Sequence, residues 1–300
     1  MRFDRPEDYL QAGDTAMHRA QLSKRHRDCL TFTPAWQEEA RRRIELDTAL
    51  RRALERREFQ LHYQPIFELE SRQLVGFEAL VRWYSPQRGL VSPNEFVPLA
   101  EETGLIVILG EWILEEACWQ LRDWQLRFGW PRLSLSVNVA AVQLTQPGFV
   151  ELVDRLLRET EIAPASLRLE ITETALMDNT QRSQICLQQL KQLGVSLSID
   201  DFGTGYSSLS YLHSFPFDVM KIDRSFVMQL LENPKSLEIV RNILLLAQNL
   251  RLQTIAEGVE TELQLRQLEL LNCDFGQGYW FDRPLPAEDA RKRIERHLSS

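Results

Sequence analysis

The 300-residue chain is poor in histidine, lacks any CxxC pair and carries no surplus of positive charge. Its four cysteines, Cys29, Cys118, Cys186 and Cys273, stand far apart. That spacing speaks against a disulfide framework or a zinc ribbon and for a reducing compartment. No signal peptide opens the sequence, and its most apolar run, "LIVILGEWIL", is short and broken by Glu111. No membrane contact is therefore expected from this segment, and a cytoplasmic location is, although a parent protein could be anchored elsewhere. The formal net charge is −8. Bulk attraction to a nucleic-acid polymer is thereby excluded, and a phosphate-bearing ligand would need local arginine and lysine or bound metal.

What is present suits one large domain with a packed core: 44% apolar residues, seven tryptophans among them. Residues 35–57 differ from the rest. In "PAWQEEARRRIELDTALRRALERRE", Trp36, Ala40 and Ile44 recur every four residues, Leu50 and Leu54 continue the stripe, and Glu38–Arg42 and Glu39–Arg43 have favourable helical order. The pattern predicts an exposed connector helix.

From residue 58 to 300, short strand-like runs alternate with amphipathic segments such as Ile113, Ala117, Leu121 and Trp124. The runs are "FQLHYQPIFEL", "LVGFEALVRW", "LSLSVNVA", "LRLEITE", "VSLSIDD", "DVMKID", "LQTIAEGVE" and "FGQGYWF". Eight such runs predict an α/β fold of the TIM-type (β/α)8 barrel. An open doubly wound sheet is the fallback, but no GxGxxG follows the first strand.

Alternation sorts each strand into two faces. Ser134, Ser136 and Asn138 share a face; so do Arg168, Glu170 and Thr172, then Ser196, Ser198 and Asp200, and Glu78, Leu80 and Arg82. The purely apolar faces should meet the helices, leaving the polar faces inward. Such an interior is costly unless it is a binding site. Asn138, Glu170 and Asp200 then converge near the strand ends, with Glu78 and Glu257 from other strands. Converging carboxylates repel, and a hard divalent cation such as Mg2+ or Mn2+ resolves the repulsion with oxygen ligands. Histidine is almost absent from these strand ends; His62 reads as structural or supporting. Lys221 is either a solvated charge or a group that orients water. Arg82 is either a structural ion pair or a phosphate clamp. In "IDDFGTG", alternation points Asp200 inward and Asp201 away or at the strand exit, and Gly203 and Gly205 permit a close turn. The plainer reading is a strand-to-helix turn capped by Thr204 or Ser207. A barrel glycosidase with a carboxylate pair is the metal-free alternative.

The ordered motifs "YQPI", "FEALVRW", "SVNVA", "LEITET", "DDFGTGYSSL", "KID", "AEGVE" and "QGYWFDRPLP" resemble those of the EAL family of cyclic-di-GMP phosphodiesterases. The resemblance implies a barrel with an antiparallel first strand and hydrolysis of cyclic di-GMP to 5′-pGpG by two-metal activation of water. It implies that Glu78, Asn138, Glu170 and Asp200 bind one Mg2+ or Mn2+, and that Asp200, Asp201 and Glu257 bind a second. Lys221 would polarise the attacking water, with the choice between Lys221 and Glu257 as proton acceptor left open. Gln277 would support the water network, and Glu173 would anchor the loop Asp201–Ser208. Gln64, Leu80, Arg82, Asp218, Glu260 and Tyr279 match positions near the dinucleotide. A homodimer is also implied. A non-catalytic cyclic-di-GMP receptor is the runner-up. Residues 1–34, with "AGDTAMHRAQ", resemble the end of a GGDEF domain, so an upstream GGDEF-like domain is expected in a longer parent.

Overall fold

In the computed structural model, residues 34–177, 180–204 and 215–299 are described. The chain divides into two compact units, Met1–Glu58 and Phe59–Ser300. The first contains the helix Pro34–Arg56, close to the expected connector. Arg41 pairs with Glu38 and Glu45, Arg42 with Glu38, and Arg51 with Asp47, all across one helical turn on an exposed face. Pairs of this kind support the helix only weakly. The resemblance of residues 1–34 to a domain end lies outside the described residues except at Pro34.

Among its described residues the second unit holds ten strands: β1 (Phe59–Glu68), β2 (Leu74–Ser85), β3 (Gly89–Val91), β4 (Ser134–Asn138), β5 (Leu167–Thr172), β6 (Ser196–Phe202), β7 (Val219–Ile222), β8 (Gln253–Ala256), β9 (Phe275–Gly276) and β10 (Leu285–Pro286). Eight of them close a ring in the order β1-β2-β4-β5-β6-β7-β8-β9, with β1 pairing back onto β9. β1 is antiparallel to both neighbours, and β2 through β9 run parallel around the ring. β3 and β10 extend the edges of β2 and β1. The eight ring strands are the eight runs marked by alternation.

Helices cover the outside because the outward face of the strands is apolar. Leu135, Val137, Leu169, Ile171, Leu197 and Ile199 are fully or nearly fully buried. The helix Leu105–Phe128 buries Ile113, Ala117, Leu121 and Trp124 on one face. Trp124 meets Tyr63 edge-on at 4.8 Å and Phe77 at 5.2 Å, tying that helix to β1 and β2. The opposite face turns inward. At the amino-terminal end of the strands, Ile66, Val219 and Ile255 form an apolar plug with Val75 and Phe275. Two residues further along β7, Lys221 begins a polar layer. The interior thus changes from apolar to charged along the barrel axis. Cys118, Cys186 and Cys273 are buried free thiols.

Candidate active site

Seven polar side chains meet at the carboxyl-terminal end of the parallel strands. Parallel register delivers them: Glu78 lies opposite Ser136, Asn138 opposite Glu170, and Thr172 opposite Asp200. Asn138 and Glu170 are therefore level, two residues nearer the mouth than Glu78, and Asp200 is two nearer still. Lys221 comes from β7, and Glu257 and Gln277 follow directly on β8 and β9.

Lys221 is the hub. Its fully buried ammonium lies 2.5 Å from Glu170, 2.6 Å from Glu257, 3.2 Å from Asp200 and 3.4 Å from Glu78. Of its two sequence readings, the solvated surface charge is ruled out. The amides of Asn138 and Gln277 donate to the two Glu78 oxygens at 2.7 and 2.6 Å, and Gln277 also donates to Glu257 at 2.9 Å.

Ionisation follows from this crowding. Burial pushes the Glu170 carboxyl up to about 8; Lys221 opposes that rise, while Glu78 and Asp200 reinforce it. Burial also holds Glu257 well above the usual range, with Lys221 again opposing. Glu78 is buried too, but Lys221 and the two amide donors outweigh that cost and leave it low. Burial works against the Lys221 charge, yet the four surrounding acids raise its pKa well above the ordinary value. One lysine cannot satisfy all four.

Asp201 departs from the alternation rule. Between Ile199 and Phe202 the pairing of β6 with β7 slips, so that Asp200 and Asp201 together face the single residue Lys221. This is a β-bulge, and Asp201 takes a left-handed φ of 53°. The bulge swings Asp201 back to the inward side instead of away from it. Oxygens of Asp200, Asp201 and Glu257 consequently lie within 4.8 Å of one another. Burial, with Asp200 and Asp223 nearby, pushes Asp201 up to about 6.

Metal fits this donor set. Its members are hard oxygens with one amide among them, as Mg2+ and Mn2+ prefer. One oxygen of Glu170 and the carbonyl oxygen of Gln277 are buried without a hydrogen-bond partner. Such orphans are rare unless a ligand supplies the missing contact.

Glu173 opens the helix Glu173–Met177 and accepts a hydrogen bond from the Gly203 amide at 3.1 Å. Gly203 has a φ of 96°, which favours glycine there. Residues 205–208 of the loop, with Gly205 and Ser207, lie outside the described residues. Arg82 is half-buried and donates to the Val81 carbonyl at 2.9 Å; among the described residues it makes no ion pair. Gln64 and Leu80 sit on the same inward faces of β1 and β2 as Glu78 and Arg82. Glu260 lies in the loop beyond β8, and Tyr279, beyond β9, is half exposed with Arg283 4.4 Å over its ring. His62 lies between the Pro284 carbonyl at 3.3 Å and the Tyr84 hydroxyl at 3.1 Å, a supporting role.

Asp218 does not join them. It precedes the first residue of β7, at the opposite end of the barrel. There its carboxylate accepts from Lys191 at 2.5 and 2.6 Å and from the Leu197 amide at 2.9 Å. Its expected place beside a dinucleotide is corrected to a structural one at the amino-terminal end.

A cleft of about 640 Å³ opens from Asn138, Asp200 and Asp201 past Leu80 and Arg82. Its far wall is the helix Pro93–Thr103, including Glu101. Sequence reasoning missed this wall because a glutamate on an amphipathic helix reads as surface charge.

Comparison with known proteins agrees with this geometry. The profile of the EAL domain family matches residues 47–284. The chain is 44% identical over 275 residues to the bifunctional diguanylate cyclase/cyclic di-GMP phosphodiesterase MucR of Pseudomonas aeruginosa, covering 92% of this chain and 40% of that protein. It is 41% identical to the cyclic di-GMP phosphodiesterase NbdA of the same organism, over 93% of this chain and 36% of that one. The chain thus spans two fifths or less of these relatives' length. The solved structure of the PaMucR phosphodiesterase in complex with c-di-GMP superposes with a TM-score of 0.78 at 46% identity, covering 82% of this chain and 99% of that one.

Proposed function

The chain belongs to the EAL domain family, and from that premise we propose that it hydrolyses cyclic di-GMP to linear 5′-pGpG with two Mg2+ or Mn2+ ions. The observation that carries the reading is the acid cluster around Lys221. Five carboxylates, those of Glu78, Glu170, Asp200, Asp201 and Glu257, face one ammonium. Fully ionised, they leave four negative charges, the number that two divalent cations cancel. Glu78, Asn138, Glu170 and Asp200 would hold one ion, and Asp200, Asp201 and Glu257 the other. Bound there, the ions supply acidification of water and charge neutralisation at a phosphate.

The protein's own groups do the rest. Lys221 holds the attacking water and keeps its proton at Nζ, because four acids surround it. Water oxygen bonds to phosphorus as the bond to one ribose 3′ oxygen breaks; Glu257, the other candidate acceptor, takes the water's proton, a proton passes to the 3′ oxygen, which leaves as a hydroxyl, and the 5′ phosphate stays on the linear product. Arg82 offsets charge on a non-bridging oxygen. Gln277 fixes Glu78 and Glu257 relative to each other. Glu173 holds the bulge exit through Gly203. Gln64, Leu80, Glu260 and Tyr279 contact the dinucleotide. The runner-up, a receptor without turnover, has no feature in its favour here, since Lys221 and every carboxylate of the set are in place.

The reading extends to the parent protein. Residues 1–34 would close an upstream GGDEF-like domain and 35–57 would connect it to the phosphodiesterase barrel at 58–300. Support comes from the greater length of the relatives and from the bifunctional name of MucR. The homodimer rests on the resemblance and the cytoplasmic location on the scattered cysteines; among the described residues no helix is long and apolar enough to cross a membrane. The test is incubation with cyclic di-GMP and Mg2+ or Mn2+, resolving pGpG from GMP by chromatography. Linear pGpG is the expected product, and no product at any metal concentration contradicts the proposal.

A further inference from the structure

Seven side-chain atoms among the described residues are fully enclosed and have no hydrogen-bond partner. Four of them, Ser136 Oγ, Arg168 Nε, Glu170 Oε1 and Ser198 Oγ, come from the adjacent strands β4, β5 and β6. Scattered orphans would need separate explanations, whereas these share one inward face. Arg168 and Glu170 are two residues apart on β5, about 7 Å along the strand. Ser136 pairs with Arg168 from one side and Ser198 pairs with Glu170 from the other, each about 5 Å away. The apolar plug of Ile66, Val219 and Ile255 faces them across the barrel. Arg168 is partly exposed as a residue, but its Nε is sealed from solvent. Among the described residues it makes no ion pair. Asp218, the other acid whose charge reaches it, is taken by Lys191 and the Leu197 amide.

The four atoms define the chemistry of what joins them. Nε–H only donates, the Glu170 oxygen accepts, and each hydroxyl does either. A metal cation is repelled by Arg168, and an anion by Glu170. Water, neutral with two donors and two acceptors, satisfies all four. It accepts from Nε–H and one hydroxyl, and donates to Glu170 and the other hydroxyl. Four polar partners are enough to hold a buried water. We infer that Ser136, Arg168, Glu170 and Ser198 enclose one water molecule, through which Arg168 fixes the Glu170 carboxylate for metal binding. Under the reading above, on which this rests, Glu170 is a metal ligand. A carboxylate oxygen has more than one lone pair, so Oε1 holds this water and still serves a cation. Arg168, Ser136 and Ser198 touch neither metal nor nucleotide in this arrangement; they are positioning residues. The enclosed water is distinct from the attacking one, because Ser136 and Arg168 lie two residues before Asn138 and Glu170, toward the amino-terminal end.

Two measurements on the full chain test this. A high-resolution crystal structure of the metal-free protein should show a single water within hydrogen-bonding distance of all four atoms. Mn2+ affinity is read from the electron paramagnetic resonance signal of free Mn2+, with no nucleotide present. It should fall by about ten-fold or more in Arg168→Met and in Ser198→Ala. The double variant should lose about as much as the worse single one, because both act through the same water. Independent structural defects would instead multiply to about a hundred-fold. Circular dichroism checks that each variant folds; if Arg168→Met does not, Ser136→Ala and Ser198→Ala form an equivalent cycle with Arg168 in place. Density without a water at the four atoms, or losses that multiply, overturn the assignment. Wild type that binds Mn2+ and makes pGpG, while the single variants bind Mn2+ as tightly, overturns this assignment alone. Wild type that binds no Mn2+ overturns the metal site and this assignment together.

Discussion

At the amino-terminal end of the barrel, Asp218 accepts from Lys191 and the Leu197 amide, and Asp274 accepts from both the amide and the hydroxyl of Thr254. At the carboxyl-terminal end, Glu78, Glu170, Asp200 and Glu257 share one lysine, and a Glu170 oxygen has no partner at all. The same residue types are satisfied at one end and frustrated at the other. Acids that pin a strand start need nothing more. Acids at the mouth are unfavourable as they stand and become favourable once cations arrive. The difference locates function more sharply than the presence of acids does.

The largest effect should come from removing a frustrated acid. Asp200→Ala, Glu78→Ala or Asn138→Ala should lower turnover of cyclic di-GMP by about a thousand-fold or more. Circular dichroism should show the fold retained. Substantial activity in Asp200→Ala with metal supplied would break the assignment of Asp200 to both ions.

Metal loading should show next, as stability. Saturating Mn2+ at about a hundred times its dissociation constant should add roughly 3 kcal/mol. The pH dependence has a definite sign. Glu170 is raised in the folded, metal-free chain to about 8 from an ordinary 4.5. Its contribution to stability is therefore complete below about pH 4.5 and is lost as pH climbs through about 8. The metal-free melting temperature should fall over that window. The shift on adding Mn2+ should grow from about pH 6 to about pH 9, because the ion no longer displaces a proton. A Mn2+ shift that is flat across this range would contradict the frustrated state.

A satisfied acid should behave in the opposite way. Asp218→Ala should cost about 1–2 kcal/mol of stability in denaturant melts, a modest figure because the pair with Lys191 is partly exposed. Turnover per folded molecule should stay near wild type. A large loss of turnover in this variant would return Asp218 to the substrate side.

The smallest effect sharpens the comparison at one residue. Asp201→Gly removes a left-handed non-glycine residue and a crowded charge, so it should stabilise the metal-free chain by about 1 kcal/mol. It should also weaken activation by metal. Loss of stability in this variant would mean that the bulge carries no strain.

Much of this was legible in the sequence, for definite reasons. Period-two alternation exposes the polar inner face, and Asn138, Glu170 and Asp200 fall on it because their strands are regular. The eight ring strands follow from the same signal. Asp201 escaped the rule because a bulge breaks the period, and one extra residue flips a side chain to the other face. The contacts of Lys221 needed the closed ring, since its four partners come from β2, β5, β6 and the end of β8. Asp218 was misplaced because it stands three residues before Lys221 in the chain. Along an extended strand three residues span about 10 Å, enough to separate the two ends of a four-residue strand. Glu101 gave no signal, because nothing in an amphipathic helix marks which charge will line a cleft.

The most direct test is turnover of cyclic di-GMP after the chain is stripped by chelator and then titrated with Mn2+. The stripped protein should produce no pGpG, and activity should return as two ions bind per chain, with Asp200→Ala silent throughout. Full activity in excess chelator, or restoration with no bound ion, would contradict the reading of the mouth cluster as a metal-loaded hydrolytic site.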